Sequence, residues 1–206
     1  MNDLETAFYI FGEMNWITQN WIEIIGAIAG FIYVFFEIKA NKWMWPIGLL
    51  TSAFYIVVFF DSKFYADMSL QFYYIVISVI GWYWWLKGGT KGEELSISKI
   101  KTILIPKLFL GFLLIFIAIS YILVYYTDSP LPYWDALTTS LSIVATWMLA
   151  RKILEQWLLW VFIDLVSMIL YIYKGLYPTS ILFLIYSILA IIGYKQWKKS
   201  LSNVSK

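Results

Sequence analysis

Residues 103–126 read ILIPKLFLGFLLIFIAISYILVYY, 24 positions carrying one charge, Lys107. A helix needs about 20 largely apolar residues to cross the hydrocarbon core of a bilayer. This stretch meets that requirement, and it has no counterpart elsewhere in the chain. It stands between two blocks of sequence that do match each other, and that isolation decides the fold.

Working outward, six further apolar runs fall at roughly 20–38, 44–60, 68–86, 134–150, 157–173 and 178–197. The run at 68–86 begins polar and that at 134–150 is rich in Thr and Ser, so their ends are the least sharp. Polar breaks separate the runs: Asn41-Lys42, Asp61-Ser62-Lys63, Gly88-Gly89-Thr90, Asp128-Ser129-Pro130 and Lys174-Gly175. Pro46 lies within the first turn of its helix, where a missing N–H costs little. Apolar residues make up 62% of the chain and charged ones 14%. A soluble domain sits nearer one half and one quarter, and a core of this size could not hide the surplus. The excess must face lipid, with Trp and Tyr flanking the runs as interfacial belts do. Residues 1–206 thus read as a single all-α integral membrane domain. Residues 6–17 read as a short interfacial helix with Phe8, Phe11 and Trp16 toward lipid. Asp3, Glu5 and Glu13, with no early Lys or Arg, do not read as a signal peptide.

The basic residues orient the spans. One set of loops and ends holds 13 of them: Lys39, Lys42, Lys87, Lys91, Lys99, Lys101, Lys107, Arg151, Lys152, Lys195, Lys198, Lys199 and Lys206. The other set holds Lys63 and Lys174 alone. Positive charge stays inside, so the N-terminus is expected outside and the C-terminus in the cytoplasm. Seven spans require that same arrangement.

A repeat runs through the chain at a separation of 112 residues without gaps. It pairs Trp21 with Tyr133, Glu23 with Asp135, Lys39 with Arg151 and Trp45 with Trp157. It continues through Tyr65 with Tyr177, Leu70 with Leu182, Tyr74 with Tyr186, Gly81 with Gly193, Trp82 with Tyr194 and Trp85 with Trp197. The Leu and Ile pairs carry little weight, because apolar helices match by chance. Two three-span units joined directly would be inverted. The solitary span 103–126 restores the orientation, giving parallel repeats over about 20–86 and 134–197. Repeats related by an axis along the membrane normal are a transporter architecture, with the substrate near midplane between them.

Polar groups in hydrocarbon are costly and mark pathways or partners. Asp164 lies about seven residues into its span, roughly 10 Å deep. Trp157, Trp160, Asp164, Ser167 and Tyr171 follow +3, +4, +3 and +4 and share one helix face. A carboxylate between aromatic rings suits a flat organic cation: the rings stack and the acid supplies countercharge. The same Asp paired with a Lys or hydroxyl would merely hold the bundle together. Asp67, Gln71, Tyr74, Ser78 and Trp82 form a second face, on which Gln71 both donates and accepts. Asp135, Thr138 or Thr139, Ser142 and Thr146 on the fifth span, with Trp147 beside them, and Trp45, Ser52 and Tyr55 on the second, are further candidates. Most such hydroxyls bond back to their own backbone or to a neighbour. Gly26 and Gly30 form a GxxxG pair that reads as helix packing. Glu37, Arg151 and Glu155 sit at span ends and read as solvated or snorkelling charges.

Cys and His are both absent. Ordinary zinc sites, thiol nucleophiles and imidazole bases go with them. No phosphate-binding GxxxxGKS or GxxxxGKT loop is present, no Ser–His pair is possible, and no basic nucleic-acid surface is readable. The chain reads as neither an enzyme nor a cofactor or metal protein.

The segments NKWMWPIG (41–48), YADMSLQFYY (65–74) and GWYWW (81–85) resemble the first repeat of the Pnu family of bacterial vitamin transporters. LARKILEQWLLWVFID (149–164), YKGLYPTSILFLIY (173–186) and GYKQW (193–197) resemble the second, so the likeness covers about residues 20–198. It implies a three-plus-one-plus-three fold similar to SWEET sugar transporters, homotrimers, and residence in the bacterial inner membrane. It implies facilitated diffusion of nonphosphorylated vitamin precursors, nicotinamide riboside above all, trapped by a cytosolic kinase. The family's substrate contacts carry over to Trp157, Trp160, Asp164, Gln71 and Tyr74, and with less support to Trp45. Members for nicotinamide riboside tend to have Asn where this chain has Asp164, and often Gln where it has Thr146. That departure keeps thiamine open as the substrate, since both molecules are flat cations. A proton-coupled variant using Asp164 and a noncatalytic membrane scaffold are the remaining readings.

Overall fold

The computed structural model describes residues 25, 28–61, 65–89, 92–173 and 177–204. The expected interfacial helix at 6–17 and Gly26 lie outside these residues. The described chain is helical. The helices are α1 (Ile28–Ile38), α2 (Met44–Asp61), α3 (Tyr65–Lys87), α4 (Ile105–Tyr126), α5 (Pro132–Ala150), α6 (Gln156–Tyr173) and α7 (Tyr177–Val204). Each follows an apolar run bounded by the polar breaks noted above. Three of them, α4, α6 and α7, are long and apolar enough by themselves to cross a membrane.

Two boundaries differ from expectation. Helix α3 begins at Tyr65, three residues before the apolar run, and α7 continues to Val204, well past 197. In both cases the helix runs on beyond the stretch that the bilayer requirement alone demands.

Helix α2 packs on α3, α6 on α7, and α5 against α3, α4 and α6. The apolar helix α4 leans on α5 and leaves Phe109, Leu110, Leu114 and Ile117 exposed. Such a surface is stable only against lipid or another apolar partner.

At one end, four indoles close the bundle. Trp45 meets Trp85 edge-to-face at 5.5 Å, Trp85 meets Trp197 at 6.1 Å, and Trp197 meets Trp157 edge-to-face at 5.6 Å. All four rings are buried. The geometry recurs at a spacing of 112 residues. A Cβ added to Gly81 would lie 2.5 Å from the Trp45 ring, and one added to Gly193 would lie 2.5 Å from Trp157. Only glycine admits an indole that close. Trp85 Nε1 donates to the Leu149 carbonyl at 3.2 Å, as Trp197 Nε1 donates to the Glu37 carbonyl at 3.0 Å. Leu149 and Glu37 are themselves 112 residues apart. Ala40 and Lys152, another such pair, both adopt φ of 49° in the tight turns after α1 and α5.

An extended strap, residues 92–101, crosses this end. Leu95 N donates to the Trp85 carbonyl, Ser98 N to the Lys152 carbonyl, and Leu154 N to the Ser98 carbonyl. Ile100 N donates to Glu155 Oε2 at 2.8 Å. Lys42 pairs with Glu94 of the strap at 2.9 Å, which holds the Glu94 carboxyl below the usual carboxylate range. The Lys152 amine lies 4.3 Å over the Trp85 ring, and burial lowers its basicity. Most of the basic residues gather here, so this is called the basic end.

Candidate functional site

Helix α6 carries no Gly, Pro or basic residue, so it runs unbroken, with its polar side chains turned inward. Its buried residues are Gln156, Trp157, Ile163, Asp164 and Ser167. Asp164 is 5% exposed, and it makes no hydrogen bond or ion pair among the described residues. A buried carboxylate in this setting carries a desolvation cost that a partner must offset.

Trp160 stands one turn before Asp164 on the same face of α6. Trp160 packs on the four-indole cluster, and its Nε1–H is buried with no acceptor among the described residues. Trp157 and Trp45 likewise have unpartnered Nε1–H groups. Their rings, however, are pressed between glycines and neighbouring indoles, so they form the wall rather than an open lining. Orphaned buried donors are uncommon in folded proteins, and three in one region call for a ligand, a water or a second conformation.

The other expected residues fall at different distances from this point. Tyr74 packs on the same cluster, and its side chain meets Ser142 of α5. Gln71 is half-buried on α3, one turn before Tyr74. Thr146 is buried, and its hydroxyl donates to the Ser142 carbonyl at 2.7 Å, so its hydrogen serves its own helix. The hydroxyls of Ser142 and Thr138 are spent in the same way. Gly30 packs on Tyr186, in keeping with a packing role.

The structure corrects one reading at the span ends. Glu37 is not solvated; it is 4% exposed, with Oε1 accepting from Gln156 Nε2 at 3.2 Å. Its burial arises because α6 and α7 cover the end of α1. Arg151 is exposed, 4.8 Å from the Trp84 ring. Sequence reasoning also passed over Gln156 and Tyr186. Gln156 lies one turn before Trp160 on the same face, and Tyr186 is the repeat partner of Tyr74, so both signals were present.

A seven-helix bundle sealed by aromatic rings at one end, whose interior holds an acid with no ion-pair partner among the described residues, is built as a multi-pass membrane transporter. Residues 20–199 match the nicotinamide mononucleotide transporter family, and the chain belongs to that family. It is 26% identical to the nicotinamide riboside transporter PnuC of Escherichia coli strain K12, over 88% of this chain and 86% of that one. It is 24% identical to the riboflavin/roseoflavin transporter RibM of Streptomyces davaonensis, over 89% of this chain and 92% of that one. Its fold matches the crystal structure of the vitamin B3 transporter PnuC with a TM-score of 0.72 at 20% identity, covering 98% of this chain and 94% of that one. The family and these relatives are transporters, not enzymes.

Proposed function

We propose that the protein takes up a nonphosphorylated, flat cationic vitamin precursor of the nicotinamide riboside type by facilitated diffusion. One observation carries the reading: Asp164 is a buried carboxylate with no cation among the described residues, beside an indole whose N–H has no acceptor. A pyridinium ring would supply the missing charge and stack on Trp160. Gln71 and Tyr74 would orient its amide and hydroxyls, with Trp157, Trp45 and Thr146 shaping the wall.

Charge also argues against a phosphorylated substrate. Helices α2, α5 and α6 contain no Lys or Arg. A phosphate beside Asp164 would find repulsion and no partner. The two named relatives span a cation and an uncharged flavin, and the carboxylate favours the cation. Thiamine fits the same chemistry as nicotinamide riboside.

Around this site the reading places two parallel three-helix repeats, α1–α3 and α5–α7, joined by α4. The matched geometry at 112-residue spacing supports that arrangement. The exposed face of α4 is in keeping with a lipid or trimer surface. The basic end faces the cytoplasm of a bacterial inner membrane, where a kinase traps the product.

Uptake into protein-loaded vesicles tests the proposal. Nicotinamide riboside or thiamine should enter saturably without ATP or an ion gradient. Asp164→Ala should lower uptake by about tenfold or more, the loss of a buried charge partner. Wild-type rates in that variant would remove Asp164 from the site. Accumulation that collapses with a proton ionophore would point instead to coupling through Asp164.

A further inference from the structure

Asp164 is not the only acid buried in this bundle. Glu37, near the end of α1, is 4% exposed, and its carboxylate has one described polar partner, the neutral amide of Gln156. No lysine or arginine pairs with it among the described residues. Gln156 is fully enclosed, and its Oε1 has no hydrogen-bond partner among the described residues. A carboxylate with one neutral donor, next to an orphaned amide oxygen, is a poor way to hold two helices together. Two apolar side chains would do so at lower cost.

Position supplies a reason for keeping it. Gln156, Trp160 and Asp164 are spaced +4 and +4 along α6 and share one face. Each step rises about 6 Å, so Gln156 lies about 12 Å nearer the basic end than Asp164. Glu37 faces α6 at the level of Gln156. The row reads acid, indole, then acid with amide. A cation leaving Asp164 toward the basic end along this face would meet Glu37, beside the closed indoles.

We propose that Glu37 and Gln156 form a second station for the organic cation, occupied as the four indoles part. Glu37 supplies countercharge, and Gln156 Oε1 accepts a hydrogen bond from the amide or hydroxyls of the substrate. One deep site would hold a cation too firmly for passage. Two moderate sites in series let it leave, as in multi-site pores. The proposal rests on Asp164 being the first station.

The test separates binding from passage. Glu37→Gln removes the charge and keeps the shape, and Glu37→Asp keeps the charge. Nicotinamide riboside is the probe, with equilibrium binding read by tryptophan fluorescence and uptake measured in vesicles. In Glu37→Gln, affinity should stay within about twofold while the initial uptake rate falls about tenfold, the signature of an interaction made only in transit. Glu37→Asp should recover most of that rate. Wild-type speed in Glu37→Gln overturns the proposal, and so does equal slowness in Glu37→Asp. Loss of binding in Glu37→Gln overturns it as well, because Glu37 would then belong to the first site or to the fold. If the wild-type protein neither binds nor carries the probe, the Asp164 reading fails first and takes the second station with it.

Discussion

Helices α2 and α6 carry their tryptophans in matching places and differ in what stands beside them. Trp45 rests on Gly81 and meets Trp85 edge-to-face; Trp157 rests on Gly193 and meets Trp197 in the same way. One position before these tryptophans, and three and seven positions after them, the resemblance ends. Met44, Gly48 and Ser52 stand on α2 where Gln156, Trp160 and Asp164 stand on α6. The space left at Gly48 is filled by the Tyr33 ring. The frame is therefore present twice and the chemistry once. A small asymmetric cation needs one countercharge at midplane, and a second acid opposite Asp164 would add desolvation cost without a second ligand to offset it.

The largest expected effect would break the equality of the two frames. Gly81→Ala and Gly193→Ala each drive a Cβ into an indole, and overpacking of this kind costs about 1–3 kcal/mol. Both should lower the unfolding temperature in detergent by similar amounts, read by scanning fluorimetry. A loss confined to one glycine would show that only one half depends on this contact. Next comes the asymmetry of the site. Asp164→Ala should lower substrate affinity by about tenfold or more, whereas its buried counterpart Ser52→Ala should change it by less than about twofold, as energetically near-neutral contacts do. Equal losses would mean that the site draws on both helices.

A smaller effect belongs to the seal. Trp85→Phe and Trp197→Phe each remove one indole N–H donated to a helix-end carbonyl. Each should cost at least about 1 kcal/mol in stability, from the orphaned carbonyl and the space left by the smaller ring, and the two costs should agree. The smallest is Lys42→Ala. Its exposed pair with Glu94 has no equivalent in the second half, where position 154 is leucine. The variant should lose no more than about 1 kcal/mol, and any larger change in unfolding temperature would make the strap part of the frame.

Much of this was readable from the chain. Apolar length and polar breaks placed the seven helices, because a bilayer demands a fixed run of residues with few charges. Asp164 announced itself as a lone acid in such a run. The glycine beneath each indole was visible as an aligned pair, though its contact with Trp45 or Trp157 was not. What escaped depended on packing between distant segments. Glu37 sits two residues before Lys39 and looked solvated. Its burial is produced by Gln156 and Trp197, 119 and 160 residues away. Tyr186 reaches the neighbourhood of Asp164 only because α7 folds back along α6. The polar end of α7 stayed helical for local reasons that a hydropathy reading cannot see.

The central claim is that Asp164 is the countercharge for a flat organic cation. Titrating purified wild-type protein and the Asp164→Ala variant with nicotinamide riboside, read by tryptophan fluorescence, tests it most directly. Saturable quenching in the wild type, weakened by about tenfold or more in the variant, is the predicted result. Equal affinity in the two proteins would contradict it.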